Sequence, residues 1–325
     1  MRVIRVGYTR RPVFRAETAM RPLLLPLSLL VLGLAACRQA PDADVPAATT
    51  AATATPTTAD AAPDPGIADD NLNAVLWVQR SVEYRATALS LFRAAADHLD
   101  AALAERNWDA LVPDERDNAH GWADLPPAVI MDIDETVLDN SPYQARLVRE
   151  GKEYDEVTWA GWVAEKQAEP VPGVVDFARA AAEKGVTVLY LSNRAQHLNE
   201  ATLANLRAVG MPVKDDSVFL GLGTHVEGCE QHGSEKLCRR RLAGRDYRVI
   251  MQFGDQLGDF VQVVANTPEA RDGLLEEYGD WFGERWWMLP NPTYGSWEPA
   301  VFNNAWEQPR EQRRTLKREA LETAR

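Results

Sequence analysis

The chain has 325 residues, of which 46% are apolar and 26% are charged. That composition is typical of a soluble globular protein with one large core plus extensions. The formal net charge of −13 argues against nucleic-acid backbones and anionic membrane surfaces as binding partners. This negative net charge is still compatible with a cation that is held in an acidic cleft and binds an anionic substrate.

Residues 1–36 are predicted to form a signal peptide. A basic start precedes a short apolar run over residues 21–36, which is too short to cross a bilayer comfortably. The sequence Leu34-Ala-Ala-Cys37 resembles a bacterial lipobox, so Cys37 is expected to become the lipidated first residue of the mature chain. The alternative is an ordinary signal peptide with a chance cysteine.

Cleavage before Cys37 would remove six arginines and one glutamate and move the formal net charge from −13 to −18. Met20 stands where a signal peptide could begin, so the chain has two candidate starts, Met1 and Met20. Residues 37–70 are rich in Ala, Thr, Pro and Asp, cannot pack a core, and are predicted to be a tether. Because Arg38 stands where an inner-membrane retention signal would place Asp, we expect the outer membrane, on its periplasmic or surface face, in a Gram-negative host.

The rest of the chain alternates predicted helices and strands. Apolar residues from Leu72 to Leu103 recur at helical spacing, which predicts a long amphipathic helix with at most one break. Buried strands, where apolar residues run up to polar loops, are predicted over residues 128–132, 186–191, 217–221 and 248–253. Helices are predicted between them over residues 173–184, 197–209 and 234–242. This order predicts an α/β protein with a Rossmann-like, three-layer αβα fold and a parallel central sheet.

The main domain is predicted to cover residues 71–310. Its N-terminal helical part is residues 71–127. Residues 140–172 are dense in aromatic and charged side chains and are predicted to be a small cap inserted after the first strand. Residues 311–325 are predicted to be a basic, helical C-terminal tail.

Polar residues cluster where the predicted strands end. Asp132 and Asp134 lie two apart at the end of the first strand, so both carboxylates would face the carboxyl edge of the sheet, where open α/β folds bind ligands. Two carboxylates that close repel each other unless a cation or a shared proton relieves them. Further polar residues at or between later strand ends are Ser192, Lys236, Asp255 and Asp259.

This order resembles the haloacid dehalogenase (HAD) superfamily of phosphatases, in which D-x-D-x-T is followed by a strand-terminal Ser, a Lys and G-D-x-x-x-D. The match looks closest to the bacterial lipoprotein class C acid phosphatases, which act as surface 5′-nucleotidases. The segments that carry it are Asp132–Tyr143, Pro170–Gly173, Ser192–Arg194, Gly254–Phe260 and Met288–Trp297. The likeness runs from residue 71 to about 306 and is interrupted at 222–235 by an apparent insertion before Lys236.

The resemblance implies a mechanism. Asp132 would be the nucleophile that forms an aspartyl-phosphate, and Asp134 would protonate the leaving alkoxide and then activate water. The implied Mg²⁺ ligands are Asp132, the backbone carbonyl of Asp134, Asp255 and, directly or through water, Asp259. The implied phosphate-binding residues are Ser192 and Lys236. Thr136 and Asn140 are expected to support the loop rather than react.

A nucleobase or aryl group would need flat apolar partners. The aromatic residues in segments that the family uses around its pocket are Tyr143, Trp159, Trp162 and Tyr294. Each of these rings could instead serve packing.

Cys229 and Cys238 remain as a pair if Cys37 carries lipid. In an exported protein a local disulfide is the favoured interpretation. Two free thiols are one alternative. A zinc site with His225 and His232 is another, although its spacing matches no structural zinc pattern.

The sequence thus predicts an exported, lipid-anchored, Mg²⁺-dependent acid phosphatase that hydrolyses phosphomonoesters, including nucleoside 5′-monophosphates. One alternative is a phosphotransferase that passes the phosphoryl group to an alcohol. The other is a non-catalytic surface-binding lipoprotein, against which the intact Asp132 argues.

Overall fold

The computed structural model describes residues 70–117 and 121–324. The predicted signal peptide, the predicted lipidation site Cys37 and the tether up to residue 69 lie outside these ranges. Within them, none of the helices combines the length and the apolar character that a membrane span needs.

The predicted first helix is two helices. α1 (Leu72–Arg80) and α2 (Val82–Ala104) meet at Ser81, whose backbone is extended. The Ser81 hydroxyl accepts the backbone N–H of Tyr84 at 3.0 Å. This is a helix N-cap, an interaction that contributes about 1 kcal/mol, and it provides the one break that the periodicity allowed.

In the described part of the chain, seven strands follow in two sheets. The strands are β1 (Pro127–Met131), β2 (Leu138–Asp139), β3 (Glu169–Pro170), β4 (Thr187–Ala195), β5 (Phe219–Leu222), β6 (Arg248–Gly254) and β7 (Trp286–Met288). Five of them form a wholly parallel sheet in the order β5-β4-β1-β6-β7, while β2 and β3 form a separate antiparallel pair. The prediction of an α/β fold with a parallel central sheet is confirmed. Because β1 lies between β4 and β6, the residues that follow these three strands meet at one edge.

Over residues 121–324, eight further α-helices connect the strands or follow them. They are α3 (Ser141–Glu150), α4 (Glu156–Glu165), α5 (Val174–Glu183), α6 (Asn199–Ala208), α7 (Leu237–Asp246), α8 (Pro268–Tyr278), α9 (Trp297–Ala300) and α10 (Arg310–Glu319). The segment predicted as a cap contains α3 and α4, and the β2–β3 pair joins its two ends.

Two predicted elements begin later than expected. The third main strand starts at Phe219 instead of Ser217, because the Asp215 carboxylate accepts the Ser217 N–H at 2.9 Å and holds a short 3₁₀ turn over residues 216–218. The helix expected from residue 234 starts at Leu237, so Lys236 lies just before its first turn.

An aromatic cluster holds the helices against the sheet near the carboxyl edge. Phe92 of α2 lies 5.7 Å from Phe253 of β6, and Phe177 of α5 lies 4.6 Å from Phe253, measured between ring centroids. All three rings are buried. Burial of one such side chain stabilises the fold by about 1.5–3 kcal/mol. The cluster therefore fixes the end of β6, from which the next loop starts.

The C-terminal helix α10 is packed onto the domain through two buried arginines. Arg313 Nη2 donates to the Glu153 carboxylate at 2.7 Å, and Arg314 Nε donates to Asp70 Oδ1 at 2.8 Å. The predicted helical tail thus contacts both the cap segment and Asp70, the first residue that the structure describes.

Candidate active site

Asp132 directly follows the central strand. Its backbone N–H donates to the carbonyl of Phe253 at 2.9 Å, which continues the pairing of β1 with β6. Its side chain is buried, and Lys236 Nζ donates to Asp132 Oδ1. The candidate nucleophile is therefore held at the sheet edge with a cation against it.

Three buried carboxylates converge here. Asp132, Asp255 and Asp259 each offer an oxygen, and these oxygens lie within 4.8 Å of one another; no other such group occurs in the described part of the chain. Burial raises the pKa of Asp132 well above its usual value despite Lys236. Burial, followed by the charge of Asp259, raises the pKa of Asp255 to about 7. A hard divalent cation prefers such oxygen ligands and would relieve their repulsion, so the residues fit a metal site.

Asp259 also shapes the loop after β6. Its Oδ2 accepts the backbone N–H groups of Asp255 at 3.0 Å and Gln256 at 2.8 Å, while its Oδ1 accepts Lys236 Nζ at 2.7 Å. A side chain at Gly254 would collide with this carboxylate, which explains the glycine. The G-D-x-x-x-D spacing therefore builds the loop as well as the acidic cluster.

Asp255 is oriented by two amide side chains. Gln256 Nε2 and Asn291 Nδ2 each donate to Asp255 Oδ2 at 2.8 Å. Asn291 is a site residue that was not predicted from the sequence. It lies in a segment that carries the family resemblance, but no local pattern indicates that its side chain reaches the end of β6.

Lys236 lies buried just before α7. Burial lowers its pKa, but the carboxylates of Asp132 and Asp259 outweigh this effect and raise it, so the ammonium stays charged. One turn later, Arg239 Nη1 donates to the backbone carbonyl of Ser192 at 2.5 Å. This bond ties α7 to the end of β4 and brings the two predicted phosphate-binding residues to one place.

Asp134 faces a different set of partners. Its Oδ1 accepts Arg194 Nε and Asn140 Nδ2, both at 2.9 Å, while Ser192 Oγ lies 3.4 Å from Oδ2. Its side chain keeps 16% exposure. The structure therefore brings together all six side chains that the sequence placed at this site, and it adds Arg194, to which the sequence analysis gave no role.

The four candidate pocket aromatics divide into two pairs. Tyr143 and Trp162 are 2% and 3% exposed, and Trp162 Nε1 donates to Asn140 Oδ1 at 2.8 Å. These two rings pack against protein in this structure, so a pocket-wall role for them needs correction. Trp159 and Tyr294 are partly exposed. A role in substrate binding remains a prediction for these two.

Cys229 and Cys238 form a disulfide, with their Cα atoms 5.6 Å apart. The bond closes a short loop that contains Lys236. Because both sulfurs are bonded to each other, neither is a thiolate that could join His225 and His232 in a zinc site.

Replacing both cysteines is expected to affect ligand binding more than stability. In a Cys229→Ser, Cys238→Ser double variant, the free energy of unfolding should fall only modestly, because closing a short loop restrains the unfolded chain less than closing a long one. The inhibition constant of inorganic phosphate should rise several-fold, because Lys236 loses its restraint. Thermal unfolding and phosphate inhibition measure the two effects. Unchanged inhibition with a large loss of melting temperature would contradict this prediction.

Asp255 is expected to make the metal-free protein less stable as the pH rises. Its pKa of about 7 in the folded state exceeds its usual value of 3.8. A raised pKa means that folding favours the protonated form, so this contribution is complete below about 3.8 and is lost as the pH rises through about 7. With chelator present, the melting temperature of the wild type should therefore fall across this window more steeply than that of Asp255→Asn. Parallel curves for the two proteins would count against the assignment.

The whole fold is similar to solved acid phosphatase structures. The class C acid phosphatase from Bacillus anthracis is 30% identical and superposes with a TM-score of 0.68, over 79% of this chain and 98% of that chain. The same enzyme with tungstate bound is also 30% identical, with a TM-score of 0.69, over 80% of this chain and 99% of that chain.

Among curated proteins, Acid phosphatase 1 of Solanum lycopersicum is 25% identical over 166 residues, which are 51% of this chain and 57% of that protein. Vegetative storage protein 1 of Arabidopsis thaliana is 25% identical over 166 residues, or 51% of this chain and 54% of that protein. The chain thus matches little more than half the length of these relatives. The family model described as HAD superfamily, subfamily IIIB (acid phosphatase), matches residues 64–297. The chain therefore belongs to subfamily IIIB of the HAD superfamily, the acid phosphatase family.

Proposed function

We propose that this chain is a Mg²⁺-dependent acid phosphatase that hydrolyses phosphomonoesters through an aspartyl-phosphate. The observation that carries the proposal is the Asp132 carboxylate at the end of β1, held against the Lys236 ammonium inside a buried cluster with Asp255 and Asp259. One relative is named as a storage protein, so family membership alone does not decide activity. An intact nucleophile beside a cationic phosphate ligand is what an enzyme of this class requires.

Two residues would carry the chemistry. In the first step an Asp132 oxygen forms a bond to phosphorus, the ester P–O bond breaks, and the leaving oxygen takes a proton from Asp134. In the second step Asp134 takes a proton from water, the water oxygen bonds to phosphorus, and the bond to Asp132 breaks. The products are an alcohol and inorganic phosphate.

The remaining residues would bind the phosphate group and neutralise its negative charge. Lys236 and Ser192 would contact phosphate oxygens, and Lys236 would compensate the charge that Asp132 brings to the dianion. Mg²⁺, held by Asp132 and Asp255 with Asp259 alongside, would supply positive charge that lets an anionic nucleophile approach an anionic phosphate. Tungstate in the Bacillus anthracis relative is a tetrahedral oxyanion like phosphate, which supports an oxyanion site in this fold.

Nucleoside 5′-monophosphates are proposed among the substrates. Two partly exposed aromatic residues support this. Trp159 has its ring over the Arg194 guanidinium, which binds Asp134, and the hydroxyl of Tyr294 donates to Glu135, the residue after Asp134. Both rings are thus close enough to the reacting groups to contact a base or an aryl group attached to the phosphate.

A phosphate-release screen tests the proposed function. We expect the purified protein to release phosphate from a panel of phosphomonoesters, to lose this activity with EDTA and to regain it with Mg²⁺. Full activity in a verified metal-free preparation would contradict the metal requirement. Adding nucleoside to the assay separates hydrolysis from phosphoryl transfer, because a phosphotransferase would convert the nucleoside into a nucleotide at the expense of released phosphate.

We also propose that the protein is exported and lipid-anchored at Cys37, in the outer membrane of a Gram-negative host. Leu34-Ala-Ala-Cys37 and the Ala/Thr/Pro-rich stretch after it support this. Metabolic labelling with palmitate should mark the wild type and not Cys37→Ser. Label that persists in the variant would overturn the anchoring proposal without affecting the proposed activity.

A further inference from the structure

The two carboxylate oxygens of Asp134 have unequal surroundings. Oδ1 accepts hydrogen bonds from Arg194 Nε and Asn140 Nδ2, both at 2.9 Å, and forms an ion pair with Arg194 Nη2 at 2.8 Å. Among the described residues, Oδ2 accepts a single long hydrogen bond, from Ser192 Oγ at 3.4 Å. A carboxylate held on one oxygen by two hydrogen bonds and an ion pair cannot rotate freely, so Oδ2 is the oxygen left for other partners.

The two residues that hold Oδ1 are in turn held by the cap helix α4. Asn140 Oδ1 accepts Trp162 Nε1 at 2.8 Å and Arg194 Nη2 at 3.3 Å. The ring of Trp159 lies over the Arg194 guanidinium, 5.5 Å from centroid to Cζ. Arg194 is 1% exposed and Asn140 is fully buried. Hydrogen bonds through Asn140 and a cation–π contact through Arg194 therefore connect the cap to Asp134.

We propose that Arg194 and Asn140 are positioning residues that hold Asp134 with Oδ2 directed at the leaving oxygen of the substrate, and that Trp159 and Trp162 fix this arrangement from the cap. The inference rests on the proposed phosphatase activity. It gives a function to two aromatic residues for which the sequence left substrate contact and packing open. Buried charge-assisted hydrogen bonds suit such a role, since a misplacement of about 1 Å can cost roughly 10²-fold in rate.

Substrates with different leaving groups can distinguish this positioning role from a merely structural one. The phosphorylation of Asp132 determines kcat/KM, because it is the step in which the P–O bond of the substrate breaks. The p-nitrophenolate anion is stable and leaves without a proton, whereas the ribose alkoxide of adenosine 5′-monophosphate needs one. Misplacement of Asp134 should therefore lower kcat/KM for the nucleotide much more than for p-nitrophenyl phosphate.

Two variants test the proposal. Arg194→Gln is expected to lower the ratio of kcat/KM for adenosine 5′-monophosphate to that for p-nitrophenyl phosphate roughly 10- to 100-fold, a part of what a general acid contributes. Trp162→Phe keeps an aromatic ring at this position but loses part of the indole together with the N–H that binds Asn140, so it should lower the same ratio roughly threefold, as expected for one neutral hydrogen bond.

Arg146→Gln is the matched control. Arg146 also stacks on the ring of Trp162, at 5.1 Å, and it bonds to Glu165, but the structure gives it no bond to Asp134 or Asn140. The ratio should stay at the wild-type value in this variant.

Each outcome decides a separate question. Equal losses for both substrates in Arg194→Gln would overturn the inference, because they would assign Arg194 to phosphate binding or to the fold. If Arg194→Gln does not fold, an unchanged ratio in Trp162→Phe overturns it. Absence of Asp132-dependent activity in the wild type would instead refute the proposed function on which the inference rests.

Discussion

Asp132→Asn is expected to abolish turnover while the protein stays folded. Asparagine keeps nearly the same volume and an acceptor for Lys236, but its amide cannot act as the nucleophile, so kcat should fall at least roughly 10⁴-fold. Burial raises the pKa of Asp132, which means that the site disfavours its charge. The melting temperature of the metal-free variant should therefore equal or exceed that of the wild type.

Trapping the intermediate gives the sharpest measurement. Acid quenching of the wild type during turnover of a radiolabelled phosphomonoester should leave label on the protein, and Asp132→Asn should carry none. Asp139→Asn is the matched control, because Asp139 lies in β2, shortly after Asp132 in the chain, and its Oδ1 accepts the Ser141 N–H at 2.8 Å, a bond that asparagine can also accept. A labelled Asp132→Asn protein, or near-normal turnover, would remove Asp132 from its proposed role.

The reacting aspartates could be predicted from sequence because their placement depends on local order. A buried strand that ends in D-x-D puts both residues at the sheet edge whatever the rest of the chain does. The same reasoning applies to Asp255 after β6. β1 and β6 are adjacent in the sheet, so the two strand ends meet without any detail of side-chain packing.

The supporting residues could not be predicted in this way. Asn291 reaches Asp255 from 36 positions further along the chain, and Arg194 reaches Asp134 across 60 positions. These bonds depend on side-chain rotamers and on how the loops close, which periodicity does not encode. The burial of Tyr143 and Trp162 is a similar case. Aromatic density predicted a cap over residues 140–172, but the rings that keep free surface depend on how α3 and α4 pack.

Lys236→Met is expected to destabilise the metal-free protein strongly and to remove most activity. The ammonium is buried and bonds to both Asp132 and Asp259, with Asp255 close by. Removing one partner of a buried ion pair typically costs about 3–5 kcal/mol, because the remaining charge stays buried without compensation. Loss of a cationic phosphate ligand should lower kcat/KM roughly 10²- to 10³-fold.

The destabilisation should depend on what else can neutralise the carboxylates. Lys236 lowers the pKa of both Asp132 and Asp255, so its removal raises these values further. A folded-state pKa above the unfolded value favours the folded protein at low pH. The loss in free energy of unfolding should therefore shrink as the pH is lowered. It should also shrink when Mg²⁺ is added at neutral pH, because the cation can replace the missing positive charge.

Denaturant unfolding at two pH values, with EDTA or with Mg²⁺, measures this dependence. Lys184→Met is the matched control, because Lys184 bonds to Asp100 at 2.6 Å on the surface, with side-chain exposures of 41% and 75%. Exposed pairs contribute little to stability, so that variant should unfold like the wild type under all four conditions. If Lys236→Met loses stability by the same amount with and without Mg²⁺, then the three carboxylates do not share one cation site, since an ion bound among them would have to compensate for the lysine.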